Sequence, residues 1–314
     1  MRILVTGVMG FAGSHLAEAL LAQGGHRVLG VARRAVWPDA CRHLAGQVEL
    51  YPCDLCAGEA LEQILRTVQP ERIYHLAGYP HVGRSFHEAE AAWQGNLTAT
   101  RSLYEAVTRW GGRPRILFVS SGLVYGDNAA GCSENDLLQP ENPYAASKAA
   151  ADLMSYQYTR YPGLDIVRAR PFNHIGPRQT TQFAVSNFAR QLAAIERGQQ
   201  PPVLQTGNLQ PRRDLTDVRD IVAAYMLLME QGRSGEVYNV GSGQSYAMQT
   251  VLERLIALSG VAVEVRQTAN LLRAADAAEV RANADKLRRE TGWKPRFSLD
   301  QSLIDILAYW REQC

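Results

Sequence analysis

Thr6-Gly7-Val8-Met9-Gly10-Phe11-Ala12-Gly13 follows the apolar run Ile3-Leu4-Val5 and leads into His15-Leu16-Ala17-Glu18-Ala19-Leu20-Leu21. The pattern is a strand, a tight glycine turn and a helix. Residues without a Cβ let a ligand lie close to the backbone, and N–H groups at a helix N-terminus, reinforced by the macrodipole, suit a pyrophosphate. The spacing is G-x-x-G-x-x-G rather than G-x-G-x-x-G, and an ordinary glycine-rich turn is the competing reading. The strand before and the helix after are the context a phosphate cradle requires. Gly7, Gly10, Phe11, Ala12 and Gly13 are therefore candidate contacts to a dinucleotide.

Outward from this turn, Arg27-Val28-Leu29-Gly30-Val31-Ala32-Arg33-Arg34 reads as a buried second strand whose last two residues are arginines. At that tip a carboxylate would select the ribose 2′-hydroxyl of NAD, and arginine would accommodate the 2′-phosphate of NADP. No acid stands there, so Arg33 and Arg34 favour NADP; two solvated loop arginines are the alternative. A third strand, Val48 to Tyr51, leads to Asp54-Leu55, and a helix patterned on Leu61, Ile64, Leu65 and Val68 follows. Ile73 to Gly78 is a fourth strand, Asn96 to Trp110 a long helical stretch, and Arg115 to Ser120 a fifth strand. The alternation specifies an α/β fold, a Rossmann-like doubly wound parallel sheet. Ala77 and Gly78 allow close backbone approach to a cofactor, whereas His75, inside a strand, is expected as a satisfied core histidine.

With 314 residues the chain holds one large domain or two modest ones. Lys and Arg number 33 against 31 for Asp and Glu. That balance lacks the basic field of a polymeric nucleic-acid binder. Cys53-Asp54-Leu55-Cys56 matches C-x-x-C, but no second pair or histidine stands at zinc spacing, so reduced thiols and no metal site are expected. Met1 leads directly into the first strand, and the most apolar run, Ile221 to Met229, is too short to span a bilayer. A cytoplasmic protein without a membrane anchor is the expectation.

Ligands of such sheets sit beyond the carboxyl ends of the strands. There Ser120-Ser121-Gly122 closes the fifth strand, and Pro143-Tyr144-Ala145-Ala146-Ser147-Lys148 opens a helix with Tyr144 and Lys148 on one face. A phenol titrates near ~10, and an ammonium one turn away is expected to lower it toward the range of an acid or base catalyst. The Ser121 hydroxyl completes a site for a carbonyl or carbinol.

The sequence Thr6 to Gly13, Asp54, His75-Leu76-Ala77-Gly78, Ser121, Tyr144 and Lys148 resembles the extended short-chain dehydrogenase/reductase family of nucleotide-sugar enzymes. Arg170 to Gln179, Arg213 to Asp220, Arg273 to Asp276 and Thr291 to Pro295 continue the resemblance over nearly the whole chain. It implies a catalytic trio of Ser121, Tyr144 and Lys148, with Lys148 also holding the nicotinamide ribose, and a cofactor set that adds Leu76, Asn96, Tyr144, Lys148 and Pro171 to the glycine turn, Arg33, Arg34, Asp54, Leu55, Ala77 and Gly78. It also implies a substrate set of Ser121, Asn173, Arg178, Val185, Asn208, Arg213 and Arg273, and a homodimer formed through helices near 96–110 and 144–160. Phe172-Asn173-His174-Ile175-Gly176-Pro177, Gly207-Asn208-Leu209 and Ser120-Ser121-Gly122 together are most similar to GDP-6-deoxy-4-keto-D-mannose reductases, although Arg178 stands where such relatives more often carry Gly. The implied reaction is NADPH-dependent reduction of a 4-keto-6-deoxy sugar nucleotide to GDP-D-rhamnose. A nucleotide-hexose 4-epimerase and a non-catalytic dinucleotide sensor are the rivals. In related dehydratases a carboxylate lies two residues after the catalytic Ser or Thr; here Leu123 is in that place, and Asp127 reads as a turn residue.

From Asn173 to Arg213 the alternation gives way to a helix, Phe183 to Arg197, and a proline-bounded strand, Pro202 to Leu204. The chain then returns through an amphipathic helix, Val218 to Met229, and a core strand, Val237 to Gly241. The expected domains are 1–172 with 214–240 for the dinucleotide, and 173–213 with 241–314, a smaller discontinuous α/β domain, for the sugar nucleotide. Arg213 and Arg273 have the forked donors for a diphosphate, with solvated surface charge as the alternative.

Overall fold

A computed structural model describes residues 1–268 and 277–314. In chain order the first half holds β1 (Arg2–Thr6), α1 (Phe11–Gln23), β2 (Arg27–Ala32), β3 (Glu49–Pro52), α2 (Gly58–Val68), β4 (Arg72–His75), α3 (Ala89–Trp93), α4 (Ala99–Trp110), β5 (Arg115–Val119), β6 (Asn128–Cys132), α5 (Pro143–Arg160) and β7 (Ile166–Pro171). After it come β8 (His174–Ile175), α6 (Ala184–Glu196), β9 (Val203–Thr206), β10 (Arg212–Asp214), β11 (Thr216–Asp217), α7 (Val218–Gln231) and β12 (Val237–Val240). The last stretch holds β13 (Ser245–Ala247), α8 (Met248–Ser259), β14 (Glu264–Gln267), β15 (Glu279–Ala282), α9 (Asp285–Thr291) and α10 (Leu299–Gln313).

Seven strands form one sheet in the order β12-β7-β5-β4-β1-β2-β3, every pair parallel. Successive side chains of a strand point to opposite faces, so Ile3 and Val5 meet Leu16, Leu20, Val222 and Tyr225 of α1 and α7 on one side. Leu4 joins Leu61, Leu65, Leu103 and Val107 of α2 and α4 on the other. Burial on both faces explains the uninterrupted apolar runs of the strands. Each such Leu or Ile, removed wholly from water, contributes about 1.5–3 kcal/mol. The order reverses between β2 and β4 around β1, and the crevice at the carboxyl ends of β1 and β4 is where such sheets take ligands.

The second lobe packs α6, α8 and α10 around Phe188, Leu192, Leu252 and Leu303. Among the described residues there are also a small sheet, β13-β10-β15-β6, and two strand pairs, β11-β8 and β14-β9. Two segments cross the halves suggested by the sequence pattern. Strand β6 joins the small sheet through β15, and Leu287 and Trp293, beyond β15, pack back among the α1 and α7 side chains of the main sheet. Among the described residues no helix is long and apolar enough to cross a membrane.

Candidate active site

The glycine turn is shaped by contact with β4. Gly7 has φ +72°, and a Cβ there would lie 2.8 Å from the Ala77 nitrogen; one on Gly13 would lie 2.0 Å from the Gly7 oxygen. Gly10 caps α1 with no side-chain hydrogen bond, which leaves the first-turn N–H groups to a ligand. Gly7, Gly10, Phe11, Ala12, Gly13, Leu76, Ala77, Gly78, Ser121, Tyr144, Lys148 and Pro171 line one continuous cavity of about 470 Å³. Gly7, Ala77 and Gly78 also border a neighbouring cavity, whose wall includes Arg33, Arg34, Asp54 and Leu55. A cradle closed to any Cβ, with a basic far end, suits a phosphorylated dinucleotide. Asn96 lies behind this wall rather than in it: its Oδ1 accepts from the Tyr79 N–H at 2.9 Å and its Nδ2 donates to Ser147 Oγ at 2.9 Å. It holds the loop after β4 in place because the missing Cβ of Gly78 leaves it room, 2.5 Å from where that carbon would be. His75 is a core histidine, set between Thr6 Oγ1 at 2.8 Å and Thr100 Oγ1 at 2.9 Å, and burial pushes it down to about 3.

Helix α5 delivers the catalytic candidates. Asn142 Oδ1 accepts from the Ala145 N–H at 2.9 Å and Pro143 occupies the first turn, a start that fixes where Tyr144 emerges. Ser121, just after β5, caps the short 3₁₀ turn Gly122–Tyr125 by accepting from the Leu123 N–H at 3.2 Å, and it lines the same cavity as Tyr144. Lys148, one turn on, donates to the Val119 carbonyl at 3.0 Å and lies 5.8 Å from the Phe118 ring centroid. Burial lowers its ammonium to about 8, opposed by the charge of Asp152. The expectation that Lys148 lowers the Tyr144 phenol is corrected: desolvation by burial raises it, offset in part by the Ser121 hydroxyl. Asp152, a further turn along, is fully buried and held by Arg168 at 2.7 Å and Arg170 at 2.8 Å. Sequence reading did not single it out; its i, i+4 spacing from Lys148 was the available signal.

On the substrate side, Asn173, Val185, Asn208 and Arg213 line a third cavity together with Phe183, Phe188 and Met248. Arg213 is buried, and its Nη1 donates to the carbonyls of Arg212 at 2.7 Å and Ala277 at 2.8 Å. Asn173, His174, Gln179 and Phe183 belong to both this cavity and the catalytic one, and so form the neck between them. Arg178 is not in either wall. With φ +72° it turns outward, and its guanidinium grips both carboxylate oxygens of Glu18 on α1, Nη2 to Oε2 at 2.7 Å. The substrate role expected for it is corrected accordingly: both terminal nitrogens are engaged in the ion pair with α1, away from the two cavities. Arg273 lies outside the described residues. Among the described residues that line the catalytic cavity there is no Asp or Glu. Position 122 cannot carry a side chain, since a Cβ there would be 2.8 Å from the Phe172 ring, and position 123 presents leucine.

Residues 4–306 match the family model described as GDP-mannose 4,6 dehydratase. The chain is 34% identical to the GDP-6-deoxy-D-mannose reductase of Pseudomonas aeruginosa, over 99% of this chain and 98% of that protein. It is 30% identical to a dTDP-glucose 4,6-dehydratase of Streptomyces niveus, over 99% and 93%. Among solved structures, that of RMD from Pseudomonas aeruginosa complexed with NADPH superposes with a TM-score of 0.85 at 34% identity, over 100% and 99% of the chains. The UDP-glucose 4-epimerase of Thermotoga maritima with UDP-glucose superposes at 0.90 with 27% identity, over 100% and 99%. With its sheet, its Ser-Tyr-Lys site and these matches end to end, the chain belongs to the GDP-mannose 4,6 dehydratase family of extended short-chain dehydrogenases/reductases.

Proposed function

We propose that the protein reduces the C4 ketone of a nucleotide-diphosphate 4-keto-6-deoxy sugar, GDP-4-keto-6-deoxy-D-mannose, to GDP-D-rhamnose with NADPH. The observation that carries this reading is that Ser121, Tyr144 and buried Lys148 line one cavity, which joins a glycine cradle to the pocket of Asn208 and Arg213 and has no carboxylate among its described lining residues. The residues that would hold NADPH are the glycine turn, Arg33, Arg34, Asp54, Leu55, Leu76, Ala77, Gly78, Lys148 and Pro171, and the cofactor bound there supplies the hydride. Tyr144 gives its proton to the C4 oxygen and Ser121 donates a hydrogen bond to that oxygen, while buried Lys148 would hold the nicotinamide ribose. Asn173, Val185, Asn208 and Arg213 hold the nucleotide diphosphate, with Arg273 as a further candidate.

Incubation with GDP-6-deoxy-4-keto-mannose and NADPH should oxidise NADPH and yield the 4-hydroxy sugar. Formation of the keto sugar from GDP-mannose would overturn the reading in favour of a dehydratase, and interconversion of C4 epimers without net NADPH use would favour an epimerase. Replacing Arg33 and Arg34 by Ala should weaken NADPH far more than NADH; equal losses would remove them from 2′-phosphate recognition.

A homodimer is part of the same proposal. Leu153 and Tyr156 of α5 are 59% and 46% exposed, on a helix packed against α3 and α4, which supports pairing through that face. Light scattering of the purified protein tests it. The five free thiols fit a reducing, cytoplasmic setting.

A further inference from the structure

The neck between the catalytic and nucleotide cavities carries a polar atom with no partner. Gln179 is 5% exposed, and its Nε2 donates to the His174 carbonyl at 2.9 Å. Its Oε1, buried as deeply, meets no donor among the described residues. The orientation of the amide is set by that carbonyl, which only the NH₂ end can face. The backbone on either side is pinned too: the Gln179 oxygen accepts from Ser186 Oγ at 2.5 Å, and Ser186 Oγ in turn accepts from Trp310 Nε1 at 3.0 Å. One residue earlier the left-handed backbone of Arg178, φ +72°, sends that side chain out to Glu18, while Gln179 faces the neck. A rigid, desolvated acceptor is costly unless a ligand donates to it.

We infer that Gln179 is a specificity-determining residue whose side-chain carbonyl accepts a hydrogen bond from a hydroxyl of the substrate's hexose. The chemistry of the acceptor narrows the partner. Diphosphate oxygens and the C4 ketone oxygen have no proton to give, whereas a 4-keto-6-deoxy hexose offers donors only at its C2 and C3 hydroxyls. The neck lies between the carbon that Tyr144 serves and the nucleotide pocket, so the hexose passes through it. This rests on the proposed function, since it takes the substrate to be a sugar nucleotide bound across both cavities.

The test compares Gln179→Met with the wild type, using GDP-4-keto-6-deoxy-mannose and, as a ligand without hexose, GDP. The substitution should raise KM for the keto sugar by roughly 10- to 100-fold, the range expected when a buried hydrogen bond to a ligand is lost. GDP should bind within about 2-fold of wild type, which a general loosening of the pocket would not allow. The 2-deoxy and 3-deoxy substrates supply a second arm that needs no variant. One of them should suffer on the wild type the loss that Gln179→Met suffers, and should lose nothing more on the variant. An unchanged KM in Gln179→Met, an equal loss for GDP, or full activity with both deoxy sugars would overturn the inference and leave the reductase reading intact. Failure of the wild type to oxidise NADPH with the keto sugar would bring down that reading, and this one with it.

Discussion

Tyr144 reaches the cleft with its phenol raised by burial, so it holds its proton at neutral pH and acts as an acid. Tyr144→Phe should keep NADPH affinity and lower kcat by about 10²–10⁴, measured by steady-state NADPH oxidation and cofactor titration. Lys148 supplies a pH signature. Its ammonium, lowered to about 8, is charged below that value and loses its proton above it, so kcat/KM should be level near neutrality and decline above about pH 8. His75 acts on stability instead. Buried neutral, it titrates near 3 when folded against 6.5 when unfolded, so the unfolded chain binds the extra proton as pH falls between those values and stability drops. From pH 7 to 5 the loss from His75 is about 2 kcal/mol by linkage. Denaturant titrations at the two pH values should show it, and His75→Asn should shrink it. The catalytic trio was legible because its spacing is local, a turn of one helix and the end of one strand. Gln179 and Asp152 were not: one acquires meaning from an empty acceptor at a neck, the other from arginines on a strand that only the tertiary fold brings to it.

Element boundaries followed the apolar periods closely for β1, β2, β5, α6 and α7, since each is buried on a face its sequence declares. The helix expected from Asn96 is more complex. A π-turn, Gln94–Thr98, precedes α4, and it carries Asn96 inward to bond Tyr79 and Ser147. Such bulges are not encoded in hydrophobic spacing. The segment after β8 is tied to α1 from outside. Arg178 clamps Glu18, and His15 Nε2 lies 3.0 Å from the Pro177 carbonyl. A left-handed backbone costs a non-glycine residue roughly 1–2 kcal/mol, and the part-exposed ion pair returns about 1 kcal/mol. Arg178→Gly removes both together, and the glycine also widens the unfolded ensemble. Its melting temperature should therefore stay within a few degrees of wild type. Arg178→Ala loses the pair and keeps the strain, so it should melt lower than Arg178→Gly; the reverse order in calorimetry would reject the clamp.

At the scale of the molecule the two lobes are knitted together. Trp293 Nε1 donates to the Asp220 carbonyl at 2.9 Å, and the Asp220 carboxylate accepts the N–H groups of Arg296 and Phe297 at 2.9 and 3.0 Å. Asp214, fully buried, accepts from Gly243 at 2.8 Å and Ala282 at 3.2 Å. A chain ended after residue 240 would uncover the α7 side chains that Leu287 and Trp293 cover, and should lose the sharp thermal transition of the full protein in circular dichroism. The doubly wound half was legible from alternation alone. The crossing of β6 into the small sheet was not, since a short strand paired with a distant one leaves no period to read. The cavity of Tyr144 shares wall residues with each of the other two, one bordered by the exposed Arg33 and Arg34 and the other by the exposed Asn208. Two reactants thus enter by separate doors and meet head to head. Traffic at one door need not wait for the other, so the order of arrival and departure is random: GDP should compete with the sugar nucleotide alone, and spent cofactor should exchange while the sugar product is still in place.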